Sequence, residues 1–134
     1  MDIQNYIKSI FKIKTEAEFN NLAIQLFQYQ YENNIIYNEY IRLIGINTNN
    51  IQSYHQIPFL PIELFRNKTI ISSTHPHTHY FISSGTTNNQ RSKHYIIDLE
   101  LYQQSILKSF KIFIGDPKDF TFFFLIPSLN DNPH

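Results

Sequence analysis

Apolar residues in the first third of the chain recur at steps of three and four positions, the spacing that places them on one face of an α-helix. This pattern predicts three amphipathic helices within residues 1–45. Thr15 and Glu18 form a capping-box pair, which predicts that the second helix begins there. Gly45 follows the last periodic stretch and predicts that the third helix ends in a left-handed turn. The apolar positions of the three helices are Ile3, Tyr6, Ile7, Ile10, then Phe19, Leu22, Ala23, Leu26, Phe27, then Ile36, Tyr37, Tyr40, Ile41 and Ile44.

The helical pattern stops before residues 46–67, which we interpret as an ordered connector. Pro58 and Pro61 lie within it. Because proline fixes φ and lacks a backbone N–H, neither a continuous helix nor a central strand is expected there. The sequence predicts instead a single helical turn at 51–55 and a short helix over 62–66, which Pro61 opens.

Short strands and one further helix are predicted after the connector. Residues 68–73 and 79–83 each have the length and composition of a short strand. Asp98 is a favourable N-cap in front of a strongly periodic segment that Gly115 ends, which predicts a helix between them. Residues 120–126 are almost wholly apolar, and this predicts a strand buried on both faces.

These elements predict an α/β fold, with a helical cluster (1–45) and a connector (46–67) before an incomplete β-sheet that carries a polar loop and a following helix (68–134). A strand buried on both faces needs neighbours, yet only eight residues follow Ile126. We therefore expect a second copy, or a further part of a longer protein, to complete the sheet. The length of 134 residues is that of one ordinary domain, and we expect 1–134 to belong to a single domain.

Composition and charge narrow the class of protein. Of the 134 residues, 42% are apolar and 16% are charged, which suits a folded chain and argues against a disordered one. The 11 Lys and Arg balance the 11 Asp and Glu, so no net field attracts nucleic acid. The absence of Cys excludes disulfides and thiolate metal sites and fits a reducing compartment. No apolar run approaches the roughly 20 residues of a membrane-spanning helix, and we expect a cytoplasmic protein.

The strongest candidate for chemistry is a hydroxyl-rich segment at the end of the strand predicted over 79–83. Four hydroxyl side chains surround one glycine, which permits a tight turn whose amides converge on an anion, and two cations follow. The phosphate-loop pattern of the common NTPases is absent, and a Ser/Thr-rich surface hairpin is the alternative interpretation. The predicted phosphate-binding residues are Ser83, Ser84, Gly85, Thr86, Thr87, Arg91 and Lys93, with His94 either a substrate contact or a structural histidine.

Residues on both sides of this segment complete a wider pattern. It consists of Tyr37, Tyr40, Gly45, Ile46, Ile51, Ser53 and 57–61 upstream, and 91–95, Asp98, Leu99, Tyr102, Gly115, Asp119 and 125–128 downstream. Residues 83–87 resemble the Ser/Thr/Gly-rich phosphate-contacting motif of the adenylate-forming enzymes, which usually continues as Gly-x-Pro-Lys. The flanks look like those of phenylacetate–CoA ligases and, most closely, of acyl-protein synthetases, a family that includes the synthetase subunit of the fatty acid reductase of luminous bacteria. The resemblance covers about residues 11–130 and is most specific over 81–102.

The resemblance implies an enzyme that uses ATP and Mg²⁺ to convert a carboxylic acid into an acyl-adenylate, releasing pyrophosphate, and then passes the acyl group to a thiol or other acceptor. It implies that residues 83–87 contact the β- and γ-phosphates of ATP. Arg91 stands where the family motif has Lys, with Lys93 beside it, and a guanidinium can hold two phosphate oxygens. The implied partners are a carboxylic acid, including a fatty acid, or an acyl carrier, together with a protein partner or a missing C-terminal part.

Three features depart from the family pattern. Asn88 and Gln90 replace the expected Gly and Pro. The family enzymes are longer, so the resemblance implies that this chain is the N-terminal part, with the adenine contacts, the acid pocket and the catalytic lysine beyond it. The acyl-protein synthetases of luminous bacteria use a cysteine as acyl acceptor, and this chain has none.

Two other interpretations stay open. The chain can be a non-catalytic module that only binds an anion or docks to a protein partner. His75, His77 and His79 alternate along the chain, and in an extended segment they would face one side, where three imidazoles can hold Zn²⁺. No Cys or acidic cluster accompanies them, and no metal site is therefore predicted.

Overall fold

The computed structural model describes residues 1–72, 79–83 and 91–125. The chain forms two compact units, Met1–Leu99 and Glu100–His134. The described residues combine helices with a two-stranded antiparallel sheet, which agrees with the predicted mixture of helix and strand.

Three helices open the first unit, as the apolar spacing predicts: α1 (Ile3–Ile10), α2 (Glu16–Asn33) and α3 (Ile35–Leu43). The predicted capping box at the start of α2 is confirmed. The Glu18 amide donates to Thr15 Oγ1 at 3.3 Å, and Glu18 Oε2 accepts from the amide of Thr15 at 3.0 Å. Both bonds satisfy N–H groups that lack a helical partner.

The third helix ends as the sequence predicts. Gly45 lies two residues beyond α3 with φ +71°, in the left-handed region. Its amide donates to the carbonyl of Arg42 at 3.2 Å. The structural reason for the glycine is this φ value, because the space around its Cα is otherwise open.

The core of the first unit lies between α2 and α3. Phe27, Tyr37 and Ile41 are buried there. The Tyr37 hydroxyl donates to the carbonyl of Pro58 at 2.6 Å, which ties α3 to the connector. Burial raises the pKa of Tyr37 to about 12. Asn34 is buried as well, and its Oδ1 accepts from the Tyr37 amide at 3.0 Å, so it caps α3.

The connector is irregular, as its prolines predict, with 3₁₀ turns at Thr48–Asn50 and Tyr54–Gln56. Asn20 links α2 to the connector, because its Oδ1 accepts a hydrogen bond from the Tyr54 amide at 2.7 Å. The short helix α4 spans Leu64–Asn67. It begins two residues later than predicted, because the turn after Pro61 closes with the tighter bond from the Leu64 amide to the Pro61 carbonyl.

The sheet of the described residues is one hairpin, β1 (His79–Ile82) with β2 (Lys93–Ile96). The strand predicted over 79–83 is confirmed as β1. The strand predicted over 68–73 is wrong across its described part, 68–72, which is irregular and pairs with no strand. There Lys68 ends α4, and the Ser72 hydroxyl accepts from Asn34 Nδ2 at 3.2 Å, so local polar bonds replace a ladder. The sequence did not predict β2.

Helix α5 (Leu99–Phe113) starts directly after Asp98, as predicted, and has no buried residue. Gly115, with φ +139°, follows its end. The predicted buried strand over 120–126 is wrong over 120–125, which is irregular; Ile126 lies outside the described residues. Phe123 is 90% exposed and Leu125 is fully exposed, because none of the described strands pairs with this segment.

The turn after α5 is held by contacts inside the second unit. Lys111 Nζ lies 3.1 Å from Asp116 Oδ2. The Phe110 ring packs edge-on against Phe120, with centroids 5.6 Å apart, and against Phe122 at 5.5 Å. Phe110 is thus the anchor for the apolar segment that follows.

Candidate functional site

The two ends of the hydroxyl-rich segment meet at Ser83 and Ser92. The hairpin register pairs Ile82 with Lys93, and the next pair continues it. The Ser83 amide donates to the Ser92 carbonyl at 3.0 Å, the Ser92 amide donates to Ser83 Oγ at 3.1 Å, and the two hydroxyl oxygens are 2.8 Å apart. Ser92 is 9% exposed. These bonds form the neck of the hairpin.

The His94 imidazole contacts the Ser92 hydroxyl of the neck. Its Nε2 lies 3.1 Å from Ser92 Oγ. Ser92 directly precedes β2 and His94 is its second residue, so the two are two positions apart in an extended stretch, where alternate residues face the same side. The imidazole also stacks on the Phe65 ring of α4, with centroids 5.3 Å apart and an angle of 24° between the rings. Helix α4 therefore fixes the orientation of the His94 ring.

Lys93 lies on the opposite face of the hairpin from His94, because neighbouring residues of a strand face opposite sides. Its Nζ lies 4.9 Å from the centroid of the Tyr80 ring, a cation–π contact. Arg91 is exposed and directly precedes Ser92. The structure thus brings Ser83 and His94 together through Ser92, keeps Arg91 at the neck, and separates Lys93 from them.

Four of the predicted phosphate-binding residues, Ser84, Gly85, Thr86 and Thr87, lie outside the described residues, as do His75 and His77. The part of the chain that the structure describes contains no group of three or more metal ligands. The hairpin residues 79–83 and 91–96 include two cations, Arg91 and Lys93, and no carboxylate. The charge of the described hairpin therefore favours an anion.

An apolar cavity of about 300 Å³ has Phe65 in its lining, and the His94 imidazole stacks on the same ring. Residues of α2, α3, the connector and α4 line it, and the lining includes six aromatic rings. Cavities of this size and polarity suit small apolar groups. The six rings belong to Phe19, Phe27, Tyr37, Tyr54, Phe59 and Phe65.

A larger open groove of about 660 Å³ lies between α1 and α2. It contains none of the predicted site residues. Tyr6 lines it and donates from its hydroxyl to the Leu22 carbonyl at 3.2 Å, and burial raises the pKa of Tyr6. The polar contacts of this groove serve the packing of α1 on α2, so we place the candidate site at the hairpin neck.

The sequence reasoning missed Ser92. Ser92 directly precedes β2, and its alternation with His94 places the two on one side of an extended stretch. That signal is visible only once β2 is recognised, and the polar residues around 88–93 hide the strand from its apolar pattern.

The chain matches no protein-family model, no curated protein and no solved structure. Among the helices of the described residues, none combines the length and hydrophobicity needed to cross a bilayer.

Proposed function

We propose that the hairpin presents a phosphate-binding segment, and that the chain is the N-terminal portion of a cytoplasmic, ATP-dependent acyl-activating enzyme of the acyl-protein synthetase or acyltransferase type. The observation that carries this proposal is the closure of the neck at Ser83 and Ser92. The resemblance of residues 83–87 to the adenylate-forming motif supplies the substrate class.

The neck supports anion binding for a geometric reason. Ser83 and Arg91 flank residues 84–90 in the sequence. The bonds between Ser83 and Ser92 hold these two flanks close together. The neck keeps Arg91 close to Ser83 along the backbone, so that a guanidinium and hydroxyl-bearing residues can reach the same anion and stabilise the negative charge that develops on leaving pyrophosphate oxygens. The phosphate-facing role of Ser84, Gly85, Thr86 and Thr87 rests on the sequence.

The residues present fit ATP better than they fit a bare metal ion. The described hairpin offers hydroxyls and cations and no carboxylate, whereas Mg²⁺ takes oxygen ligands, usually carboxylates and substrate phosphates. In this proposal Mg²⁺ enters on the phosphates of ATP. The bound nucleotide supplies the adenylyl group that activates the acid, and the chain's own residues hold and orient its phosphates.

Exchange of labelled pyrophosphate into ATP tests this function, measured on the natural protein that contains this chain, with acids from acetate to long-chain fatty acids. We expect exchange that requires an acid, and we expect Gly85→Trp to abolish it because an indole fills space that the anion needs. Leu43→Trp, at an 85% exposed position of α3, is the matched control and should retain exchange. Acid-independent exchange, or equal exchange in Gly85→Trp, would contradict the proposal.

A second candidate is a protein-interaction module, which the exposed apolar residues of the second unit favour. Ile112 is 76% exposed, Phe113 is 84% exposed and Phe123 is 90% exposed. Large apolar side chains exposed to this degree favour a surface that another protein covers. Absence of exchange under all acids, with anion binding retained, would favour this module over the enzyme.

A further inference from the structure

We propose that the Ser92 hydroxyl, held 3.1 Å from His94 Nε2, is a nucleophile that accepts the acyl group of an activated ester of an apolar carboxylic acid. This inference stands apart from the phosphate-binding function, since acyl transfer from an ester needs no ATP. The two can therefore fail separately.

The first argument is the pairing of nucleophile and base. A serine hydroxyl is a weak nucleophile until a neighbouring base takes its proton, and a contact of 2.6–3.2 Å is the required reach. Ser92 Oγ and His94 Nε2 meet this distance without any rearrangement. The stack on Phe65 restricts the orientation of the His94 ring. In a catalytic triad the third residue has the same effect, through a hydrogen bond to the histidine.

The second argument is the role of Ser83. In one arrangement the Ser92 hydroxyl donates to Ser83 Oγ at 2.8 Å, and His94 Nε2–H donates to Ser92 Oγ. When both hydroxyls rotate so that Ser83 donates to Ser92 Oγ instead, the Ser92 proton is directed to His94 Nε2. The tautomer of His94 selects between the two, and only the neutral ring with an unprotonated Nε2 gives a nucleophile. Ser83 is therefore a positioning residue.

The third argument is the acyl site. The 300 Å³ cavity is lined by aromatic and aliphatic side chains and borders the dyad through Phe65. An apolar acyl chain in this cavity would contact Phe65, the ring on which the His94 imidazole stacks. The lining therefore selects apolar acyl groups, and the step requires an ester with a good leaving group because Ser92 is otherwise a weak nucleophile.

The step balances as an ordinary acyl transfer. Ser92 Oγ attacks the ester carbonyl carbon while its proton passes to His94 Nε2. The bond to the leaving alkoxide or phenolate then breaks, and the departing oxygen takes the proton from His94 or leaves as the anion, with His94 returning its proton to water. The product is an ester of Ser92, which water or another acceptor cleaves in a second step.

The test uses p-nitrophenyl hexanoate with the 134-residue chain. We expect a burst of p-nitrophenolate equal to one per chain, and one hexanoyl group on the chain by intact mass, located at Ser92 by fragmentation of a chymotryptic peptide. Ser92→Ala should lose both the burst and the hexanoyl group.

His94→Phe preserves the stack on Phe65 and removes the base, and should slow the burst by roughly 100-fold or more. His55→Phe is the matched control, since the exposed His55 imidazole packs on the Tyr54 ring, with centroids 3.9 Å apart, and is not part of the Ser92–His94 pair. Acylation elsewhere, or an unchanged burst in His94→Phe, would overturn the proposal.

A second variant covers the case in which Ser92→Ala does not fold. The chain has no Cys, so Ser92→Cys introduces a unique thiol whose alkylation by iodoacetamide reports its ionisation. With His94 present the introduced thiol should react at least about tenfold faster at neutral pH than in the double variant with His94→Phe. Equal rates would overturn the proposal, because they show that His94 does not act on the group at this position.

Discussion

The hydroxyl oxygens of Ser83 and Ser92 lie 2.8 Å apart and close the hairpin one pair beyond Ile82 and Lys93. The Ser92 amide donates to Ser83 Oγ, so a side chain takes the place that a backbone carbonyl usually has in a ladder. The stability of the neck therefore depends on the Ser83 hydroxyl as well as on the backbone bond from the Ser83 amide to the Ser92 carbonyl.

Replacing that hydroxyl should loosen the neck locally. In Ser83→Ala the buried Ser92 N–H loses its acceptor, which costs about 1–3 kcal/mol. We expect amide hydrogen exchange at Ser92 to become roughly tenfold faster or more, measured by NMR. The amide of Phe27 in the core of α2 is the internal control and should be unaffected. An unchanged exchange rate at Ser92 would show that another group carries the neck.

Acid should destabilise the chain partly through Glu18. The amides of Lys14 and Thr15 donate to its carboxylate and hold the pKa of Glu18 below its usual value of 4.5. A lowered pKa contributes stability that is present above pH 4.5 and is lost as the pH falls through the lowered value. We expect Glu18→Gln to flatten the fall of the thermal midpoint between neutral pH and pH values below 4.5, relative to the unmodified chain. Glu39→Gln, at an exposed position of α3, is the matched control. An acid response in Glu18→Gln identical to that of the unmodified chain would contradict this assignment.

The apolar segment after α5 is exposed, so we expect charged substitutions there to have little effect on stability. Phe123 is 90% exposed and Leu125 fully exposed, so Phe123→Asp and Leu125→Asp should change the free energy of unfolding by no more than about 0.5 kcal/mol. Phe110→Ala removes the ring contacts to Phe120 and Phe122 and should cost more than about 1 kcal/mol. Urea unfolding followed by circular dichroism measures both. A loss of about 3–5 kcal/mol for Phe123→Asp would show that this segment is buried after all.

The helices could be predicted because their signals are local. The Thr15 and Glu18 pair and the glycine at position 45 each lie within a few residues of the boundary they set. The buried Asn34, in contrast, caps α3 and reaches Ser72, and no local pattern reveals a partner 38 positions away. The core at Phe27 and Ile41 followed from the apolar spacing.

The strands were harder because pairing is not local. The apolar run over 120–125 has the composition of a buried strand, yet composition cannot supply a neighbouring strand, and none of the described strands pairs with it. β2 pairs well while carrying Lys93 and His94, which weaken its apolar pattern. Because β2 was not predicted, Ser92 was not predicted as a site residue either: its contacts to Ser83 and His94 exist only in the paired hairpin.

Calorimetric titration of pyrophosphate into the 134-residue chain is the most direct test of whether the hairpin binds phosphate. We expect saturable binding of one anion per chain, weakened about tenfold or more by Arg91→Gln, because a charge-assisted hydrogen bond contributes about 1.5–3 kcal/mol. Arg42→Gln, at an exposed position in the last turn of α3, should leave the affinity unchanged. The absence of saturable binding, or an equal loss in both arginine variants, would contradict a phosphate site at the neck of Ser83 and Ser92.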